Sequence, residues 1–168
     1  MNELGSWVHD NGVSFRVWAP DCRSVDVILE EEKPRVIPLQ DDGQHYFHVF
    51  VPGLKPGCLY KFRLDGKESY PDPCSRFQPQ GPHGPSAVVD PDSFQWHDSQ
   101  WQKKGIELRR QIIYELHVGT FSKQGTYAGI IEQLEELKEL GITTIELMPL
   151  AEFPGRWNWG YDGVCLFA

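Results

Sequence analysis

Hydrophobic and polar positions alternate along the first third of the chain. Between residues 6 and 65, four runs carry an apolar side chain at every second position, and turn residues such as Asn11, Gly12, Pro52 and Gly53 separate them. The apolar positions are Val13, Phe15 and Val17; Val25, Val27 and Leu29; Phe47, Val49 and Val51; and Tyr60, Phe62 and Leu64. Period-two alternation between turns is typical of antiparallel strands with one buried face. The pattern therefore predicts a small β-sandwich, with Trp18 in its core.

A proline-rich stretch follows, from residue 66 to residue 105. It holds Pro71, Pro73, Pro79, Pro82, Pro85 and Pro91 of the 13 prolines in the chain. Regular structure is therefore not expected over most of it, apart from a short strand near residues 87–89. The aromatic residues in the stretch make it too apolar for a solvated linker and predict that it packs across an interface between two domains.

After residue 112 the pattern changes to a strand, a helix and a second strand. The predicted strands are Ile112–Val118 and Ile142–Pro149. The apolar residues between them repeat at the spacing of one helix face: Tyr127, Ile130, Ile131, Leu134, Leu137 and Leu140. Thr126 is a plausible N-cap and Gly141 a plausible C-terminal glycine of this helix. The predicted unit is βαβ, whose two strands run parallel.

Aromatic and glycine residues crowd the loop after the second strand, where Trp157, Trp159, Gly160 and Tyr161 lie close together. A βαβ unit fits either a doubly wound sheet or a (β/α)8 barrel. The loop between the first strand and the helix, G-T-F-S-K-Q-G-T, lacks the G-x-G-x-x-G spacing of a dinucleotide site. In a barrel, an aromatic loop at the C-terminal end of a strand lies on the catalytic face. Both observations favour the barrel.

Composition and charge narrow the function classes. The chain has 168 residues and a formal net charge of −8, which argues against nucleic acid and anionic membranes as partners. No apolar run approaches 18 residues, and the N-terminus shows no signal-peptide pattern. The four cysteines are scattered and predict free thiols in a reducing compartment. A soluble cytoplasmic protein without a metal or cofactor is expected.

Several motifs resemble the α-amylase superfamily (glycoside hydrolase family 13). In the second half they are I-Y-E-L-H-V-G-T-F at residues 113–121, E-L-M-P-L-A-E-F-P at 146–154 and W-G-Y-D at 159–162. In the first half, F-R-V-W-A-P at 15–20 and Y-K-F-R-L-D-G at 60–66 are similar to the N-terminal sandwich of branching and debranching members. The resemblance implies an all-β immunoglobulin-like sandwich followed by the first βαβ unit of an incomplete (β/α)8 TIM barrel.

The same resemblance implies a division of the chain and a substrate. Residues 1–90 would form a carbohydrate-binding-like sandwich, 91–111 a linker and 112–168 the start of the catalytic barrel. The linker P-D-P-C-S-R-F-Q-P-Q-G-P-H-G-P-S at 71–86, with A-E-F-P at 151–154 and Asp162, most resembles members that release trehalose from maltooligosyl trehalose. The implied partner is that substrate or another α-glucan. Two alternatives stay open: a glycogen branching or debranching enzyme, and a non-catalytic glucan-binding module.

The chemistry implied by the resemblance needs two carboxylates about 5 Å apart in a retaining enzyme. In this superfamily they follow later barrel strands, and a barrel takes about 250 residues. Residues 112–168 supply two strands and a loop, so the catalytic residues are expected beyond residue 168 and the chain alone is expected to be inactive. Glu115 and Glu146 are interpreted as structural.

The substrate-binding residues implied by the resemblance lie in the closing loop. Tyr161 is expected to stack on a sugar ring, and Trp159 and Asp162 are weaker candidates for substrate contacts. Because two parallel strands leave an unpaired edge, residues 112–168 are expected to be poorly protected from hydrogen exchange or to self-associate.

Overall fold

The computed structural model describes residues 3–99, 105–156, 158 and 160–168. In its first half the strands are β1 (Gly5–His9), β2 (Gly12–Trp18), β3 (Val25–Leu29), β4 (Arg35–Pro38), β5 (Gln40–Asp41), β6 (Tyr46–Pro52), β7 (Leu59–Leu64), β8 (Ser69–Tyr70) and β9 (Ser86–Ala87). One antiparallel sheet has the order β1-β2-β6-β5. The second has the order β4-β3-β7-β8, with β9 also paired to β7. The predicted antiparallel strands are therefore present.

The inner faces of the two sheets share one hydrophobic core. Phe15 of the first sheet meets Tyr60 of the second edge to face, with ring centroids 4.8 Å apart. The largest fully buried side chains are Tyr60, Phe15, Phe47, Phe62, Leu29, Val13, Val25, Val27 and Val88. Burying one side chain of this size contributes about 1.5–3 kcal/mol. The alternating positions thus form the core of a β-sandwich, as the pattern predicted.

Trp18 is not in that core. Its side chain is 54% exposed, and it is paired in register with Tyr46 of β6. Successive side chains of a strand point to opposite faces, and Val17 occupies the inward position next to it. The prediction of a buried Trp18 was wrong because the alternation of β2 places this residue on the same face as Arg16.

The proline-rich stretch returns to the sandwich through hydrogen bonds. Its Asp72 N–H donates to Ser86 Oγ, and the Ala87 N–H donates to the Phe77 carbonyl. The Val88 N–H then donates to the Cys58 carbonyl at the end of the stretch. A 3-10 turn at Pro91–Ser93 follows. The irregular chain is thereby held beside β7, and the strand expected near residues 87–89 is β9.

A strand-helix-strand arrangement follows in the second half. After a 3-10 turn at Leu108–Arg110 come β10 (Ile113–Leu116), α1 (Val118–Phe121), α2 (Tyr127–Ile131), α3 (Leu134–Glu139) and β11 (Thr144–Leu147). β10 and β11 pair in parallel, as predicted. Thr126 caps α2, because its Oγ1 accepts a hydrogen bond from the Gly129 N–H. Gly141 has a φ of 99°, a conformation that favours glycine at a helix end.

Several element boundaries differ from the prediction, and β11 spans Thr144–Leu147 where Ile142–Pro149 was expected. β10 ends at Leu116 and not at residue 118, because His117 is the N-cap of α1 and its side chain accepts from the Gly119 N–H. The single predicted helix is divided into α2 and α3. At the break Gln133 has a ψ of 0° and its N–H bonds to the Ile130 carbonyl, a tighter turn than an α-helix makes.

The chain divides into two compact units. The first comprises residues up to Ser93 together with Ala151–Arg156 and Gly163–Ala168. The second comprises Phe94–Leu150 and the segment 157–162. In the second unit Ile131, Leu140 and Leu147 remain well exposed. None of the helices that the structure describes has the length and apolar character needed to cross a membrane.

Candidate functional site

The C-terminal ends of β10 and β11 form the base of the candidate site. Because the two strands are parallel, both end at the same edge of the sheet, and the Met148 N–H donates to the Leu116 carbonyl there. His117 follows β10 directly and Met148 follows β11 directly. Ligands of α/β folds bind at this edge of the sheet.

Asn158 organises the loop that lies at this edge. Its side-chain Oδ1 accepts a 2.8 Å hydrogen bond from the Gly160 N–H, and its carbonyl accepts from the N–H groups of Tyr161 and Asp162. Asn158 is only 5% exposed. The side-chain oxygen thus accepts from one backbone donor and the main-chain carbonyl from two, and together they fix the local chain path, since each donor would otherwise need water.

His117 joins the loop to the end of β10. Its Nδ1 accepts a 3.1 Å hydrogen bond from the Gly119 N–H, so this nitrogen carries no proton. The proton of a neutral ring is then on Nε2, which lies 3.2 Å from Oδ1 of Asn158 and donates to it. The two contacts therefore select one tautomer and one ring orientation.

Gly160 has a backbone conformation that favours glycine, and it lies close to the end of the Met148 side chain. Its φ is 83°, in the left-handed region, and a Cβ at this position would lie 2.2 Å from the Cε of Met148. A larger residue would be strained and would displace Met148. The close approach brings the loop backbone onto the end of β11.

The loop presents the predicted Tyr161 to solvent. Its side chain is 70% exposed, although its backbone N–H is bound to Asn158. Asp162 is exposed beside it. Trp159, the third predicted contact residue, lies outside the described residues. An exposed ring on a fixed backbone is suited to stack on the apolar face of a sugar ring.

The two carboxylates on the strands face each other. Glu115 and Glu146 are directly opposite in the parallel register, and both are exposed. Among the described residues neither forms an ion pair. Like charges at directly opposite positions destabilise a sheet, so the two carboxylates weaken the pairing of β10 and β11.

No cluster of three or more His, Cys, Asp or Glu residues in the described parts of the chain is arranged to hold a metal ion. The cysteines are free thiols, and burial raises the pKa of each of them: Cys22, Cys58, Cys74 and Cys165. A raised thiol pKa lowers the thiolate fraction and hence the reactivity.

Sequence reasoning did not identify His117 and Asn158 as parts of the loop site. Asn158 had a detectable signal, because an Asn two residues before a glycine often bonds to the backbone of a turn. His117 had none, since its contact with Asn158 spans 41 positions of the chain.

Comparison with known proteins gives a consistent picture. Residues 3–91 match the family of carbohydrate-binding module 48 (isoamylase N-terminal domain). The chain is 42% identical over 167 residues to a malto-oligosyltrehalose trehalohydrolase of Saccharolobus solfataricus, covering 98% of this chain and 28% of the relative. It is 34% identical over 174 residues to a 1,4-α-glucan branching enzyme of Vibrio parahaemolyticus, covering 94% of this chain and 23% of that enzyme.

A solved structure supports the same relationship. A Salmonella typhimurium protein assigned as an α-amylase superimposes with a TM-score of 0.90 at 39% identity, covering 99% of this chain and 28% of that protein. The chain thus spans about a quarter of the length of the relatives it matches. The resemblance predicted from the motifs is confirmed.

Proposed function

Because this chain belongs to the carbohydrate-binding module 48 family, we propose that the full-length protein is a glycoside hydrolase acting on α-glucans. More specifically, we propose that it releases trehalose from maltooligosyl trehalose. The proposal is supported by the higher identity to the trehalohydrolase, 42%, than to the branching enzyme, 34%. The observation that carries it for the site is the exposed ring of Tyr161 on the Asn158-fixed loop at the ends of β10 and β11.

In this proposal the described residues bind and orient substrate and do not cleave it. Tyr161 supplies an aromatic face for a glucose ring and Asp162 polar contacts, while Trp159, outside the described residues, is kept as a candidate substrate contact from the sequence alone. The acid and the nucleophile of a retaining glycosidase lie about 5 Å apart. We propose that they are supplied by later strands of a (β/α)8 barrel whose first βαβ unit is residues 112–168.

The remaining assignments follow from this proposal. Residues 1–90 form the carbohydrate-binding-like sandwich, and residues 91–111 link it to the barrel. A reducing, cytoplasmic location is supported by the free thiols among the described residues. The partners are maltooligosyl trehalose or another α-glucan, without nucleic acid, membrane or cofactor.

The test is a comparison of variants in the full-length protein. Tyr161→Ala should lower kcat/KM for trehalose release at least tenfold, whereas Tyr161→Phe, which keeps the ring, should retain most of the activity. Tyr127→Ala is the control, because Tyr127 is also an exposed tyrosine, at 52%, but belongs to α2. Equal activity of Tyr161→Ala and Tyr127→Ala would contradict the proposal that the Tyr161 ring binds substrate. Activity on amylopectin without trehalose release would instead favour the branching or debranching alternative.

A second measurement uses the 168-residue chain alone. It should release no trehalose from maltooligosyl trehalose, because its second unit has two described strands where a barrel has eight. Measurable release by the purified chain would overturn the assignment of the catalytic carboxylates to later strands.

A further inference from the structure

Both ring nitrogens of His117 are used in hydrogen bonds to the protein. Nδ1 accepts a 3.1 Å hydrogen bond from the Gly119 N–H, and Nε2 lies 3.2 Å from Oδ1 of Asn158 and donates to it. A neutral imidazole has one acceptor and one donor, so it has no further polar atom to offer. His117 therefore has no nitrogen left for a substrate, and its effect on a reaction has to pass through its two partners.

The two partners of His117 have different roles. The bond from Gly119 is local, across two positions, and makes His117 the N-cap of α1. The bond to Asn158 joins segments that are 41 positions apart, and it connects the end of β10 to the loop that carries Tyr161. A change that removes one of these bonds can therefore leave the other in place.

Asn158 passes its position on to the residues that follow it. Its Oδ1 accepts a 2.8 Å hydrogen bond from the Gly160 N–H, and its carbonyl accepts from the N–H of Tyr161 at 2.9 Å and of Asp162 at 3.0 Å. Asn158 is 5% exposed, whereas Tyr161 is 70% exposed. A rotation of the buried amide would thus displace the backbone from which the exposed ring projects.

Met148 contacts the same loop but cannot orient it. A Cβ on Gly160 would meet the Cε of Met148 and would lie 3.8 Å from Cδ2 of His117, so the glycine lies against side chains that follow both strands. A methionine side chain is flexible, and its apolar contacts have no preferred direction. A hydrogen bond weakens steeply when its angle changes. The orientation of the loop therefore depends on the Nε2 bond.

The ring of His117 is held in one orientation before any ligand binds. A Cβ on Gly119 would lie 3.1 Å from Cε1 of the ring, closer than the 3.5–4.0 Å or so of an ordinary carbon contact, so the backbone supports one side of the imidazole. Turning the ring over about its Cβ–Cγ bond would place carbon atoms where both nitrogens now lie. Both hydrogen bonds would then be lost, which makes the observed orientation strongly preferred.

We propose that His117 is a positioning residue of the substrate site, which acts on the reaction through its Nε2 bond to Asn158 and not through its Nδ1 bond to Gly119. This role rests on the proposed function of Tyr161 as the ring that stacks on a glucose unit. A binding group has to be held to within about 0.5 Å of its productive geometry. His117 fixes the loop before substrate arrives, so less ordering is left to occur on binding.

Two substitutions separate the two nitrogens of His117. In His117→Asn the amide oxygen takes the place of Nδ1, and asparagine is a favourable N-cap, but the side chain is too short to reach Asn158. In His117→Gln the amide nitrogen takes the place of Nε2, while the acceptor for Gly119 is lost. In the full-length protein His117→Asn should lower kcat/KM for trehalose release about fivefold, the effect of losing one hydrogen bond. His117→Gln should stay within about twofold of the unmodified protein.

The same substitution in a chain without the Tyr161 ring shows whether His117 acts through that ring. With Tyr161→Ala already present, His117→Asn should cause a further loss of less than about twofold, because effects that share one path do not multiply. A general loss of structure would lower kcat/KM by the same factor in both backgrounds. His97→Asn is the control, since His97 is an exposed histidine of the same unit, and it should have no effect in either background.

NMR spectra of the 168-residue chain give a measurement that needs no activity. The nitrogen shifts of the His117 ring should place its proton on Nε2. His117→Asn should move the amide signals of Gly160 and Tyr161, whereas His117→Gln should mainly move that of Gly119. A ring proton on Nδ1, or unchanged Gly160 and Tyr161 signals in His117→Asn, would overturn the proposal.

The kinetic results can also overturn the positioning role. Equal kcat/KM for His117→Asn and His117→Gln, or losses at His117 and Tyr161 that multiply, would do so. If His117→Gln does not fold, the loss caused by His117→Asn in the two Tyr161 backgrounds still decides. A full-length protein that releases no trehalose, or that keeps its activity in Tyr161→Ala, refutes the proposed function instead, and the spectra then decide whether His117 positions the loop.

Discussion

The phenol of Tyr60 donates a 2.6 Å hydrogen bond to Oδ2 of Asp72 in the interior of the sandwich. Both residues are almost completely buried, at 0% and 2% exposure. Oδ1 of the same carboxylate accepts a 2.8 Å hydrogen bond from the Cys74 N–H. One buried carboxylate thus connects β7 to the start of the proline-rich stretch.

Removing the phenol oxygen should destabilise the sandwich. In Tyr60→Phe the buried Asp72 carboxylate loses one of its donors, and leaving such a group less satisfied costs about 1–3 kcal/mol. Urea unfolding should give this decrease in the free energy of unfolding. Tyr46→Phe is the control, since the Tyr46 ring keeps its contact with Arg16; a loss of similar size there would refute the explanation.

The buried Asp72 carboxylate also predicts that the stability of the sandwich depends on pH. Burial raises the pKa of Asp72 above its ordinary value of 3.8, while the hydrogen bonds from Tyr60 and Cys74 and the charge of Arg76 oppose the shift. The folded state therefore binds this proton more tightly than the unfolded chain. The stabilising contribution of the protonated form is complete below the unfolded pKa and is lost as the pH rises through the folded pKa.

Asp72→Asn tests this dependence. An amide keeps the acceptor for Cys74 and offers a donor to the Tyr60 oxygen, so it should fold. Relative to this variant, the wild-type chain should gain stability as the pH is lowered from 7 towards 4, measured by urea unfolding at each pH. A constant difference between the two chains, or a gain at rising pH, would contradict the assigned direction.

The facing carboxylates of β10 and β11 predict a stabilising substitution. Glu146→Gln removes the repulsion with Glu115, and relief of like charges at opposite positions is worth about 0.2–1 kcal/mol. Amide exchange at Met148, whose N–H donates to Leu116, should slow accordingly. Glu32→Gln makes the same charge change in an exposed loop of the sandwich and should not alter Met148. If the stability gained by Glu146→Gln is unchanged in 1 M salt, repulsion between the two carboxylates is not its cause.

Gly160 and Gly155 form a matched pair of substitutions. Both have positive φ, 83° and 88°, but a Cβ meets Met148 at Gly160 and nothing within 4 Å at Gly155. Alanine at either position pays about 1–2 kcal/mol of backbone strain. In addition, Gly160→Ala should shift the NMR signals of Met148 and Asn158. In the full-length protein, Gly160→Ala should also lower kcat/KM for trehalose release at least tenfold. An equal loss for Gly155→Ala would show that the contact with Met148 is not the cause.

The two units should differ in protection from hydrogen exchange. Among the described strands, β10 and β11 pair only with each other, and nearby Ile113, Ile131, Leu140 and Leu147 stay exposed. The amides of β10 and β11 should exchange at least a hundredfold faster than those of Val13–Val17, which lie in β2, an inner strand of its sheet. Uniform slow exchange in a chain shown to be monomeric by sedimentation would contradict this expectation, whereas protection that rises with concentration would indicate self-association.

Much of the fold follows from local sequence. The alternation around Phe15, Val27 and Phe62 predicts the sandwich, because a one-residue shift would expose every core side chain. Thr126 and the parallel pairing of β10 and β11 were likewise predicted correctly. These features depend on neighbouring residues and on the handedness of short connections, which a single sequence contains.

The remaining features depend on contacts between distant residues. The prediction for Trp18 was wrong because an aromatic residue in an alternating run was given a core position. Val17 is an inward position of the same strand, so the alternation already assigns the next residue to the outer face. The joining of His117 to Asn158, and of Tyr60 to Asp72, could not be derived from spacing, because both depend on how the chain folds back.

The return of the chain to the sandwich at Val88 determines how long a segment must be to fold as an independent module. Val88 is 1% exposed, its N–H donates to Cys58, and its carbonyl accepts from Gly57. The sandwich therefore does not end with β7, where the alternating pattern stops, but continues to Val88. A gene segment that carried this module into another protein, in evolution or in the laboratory, would have to extend past residue 88 or leave its core open on one side.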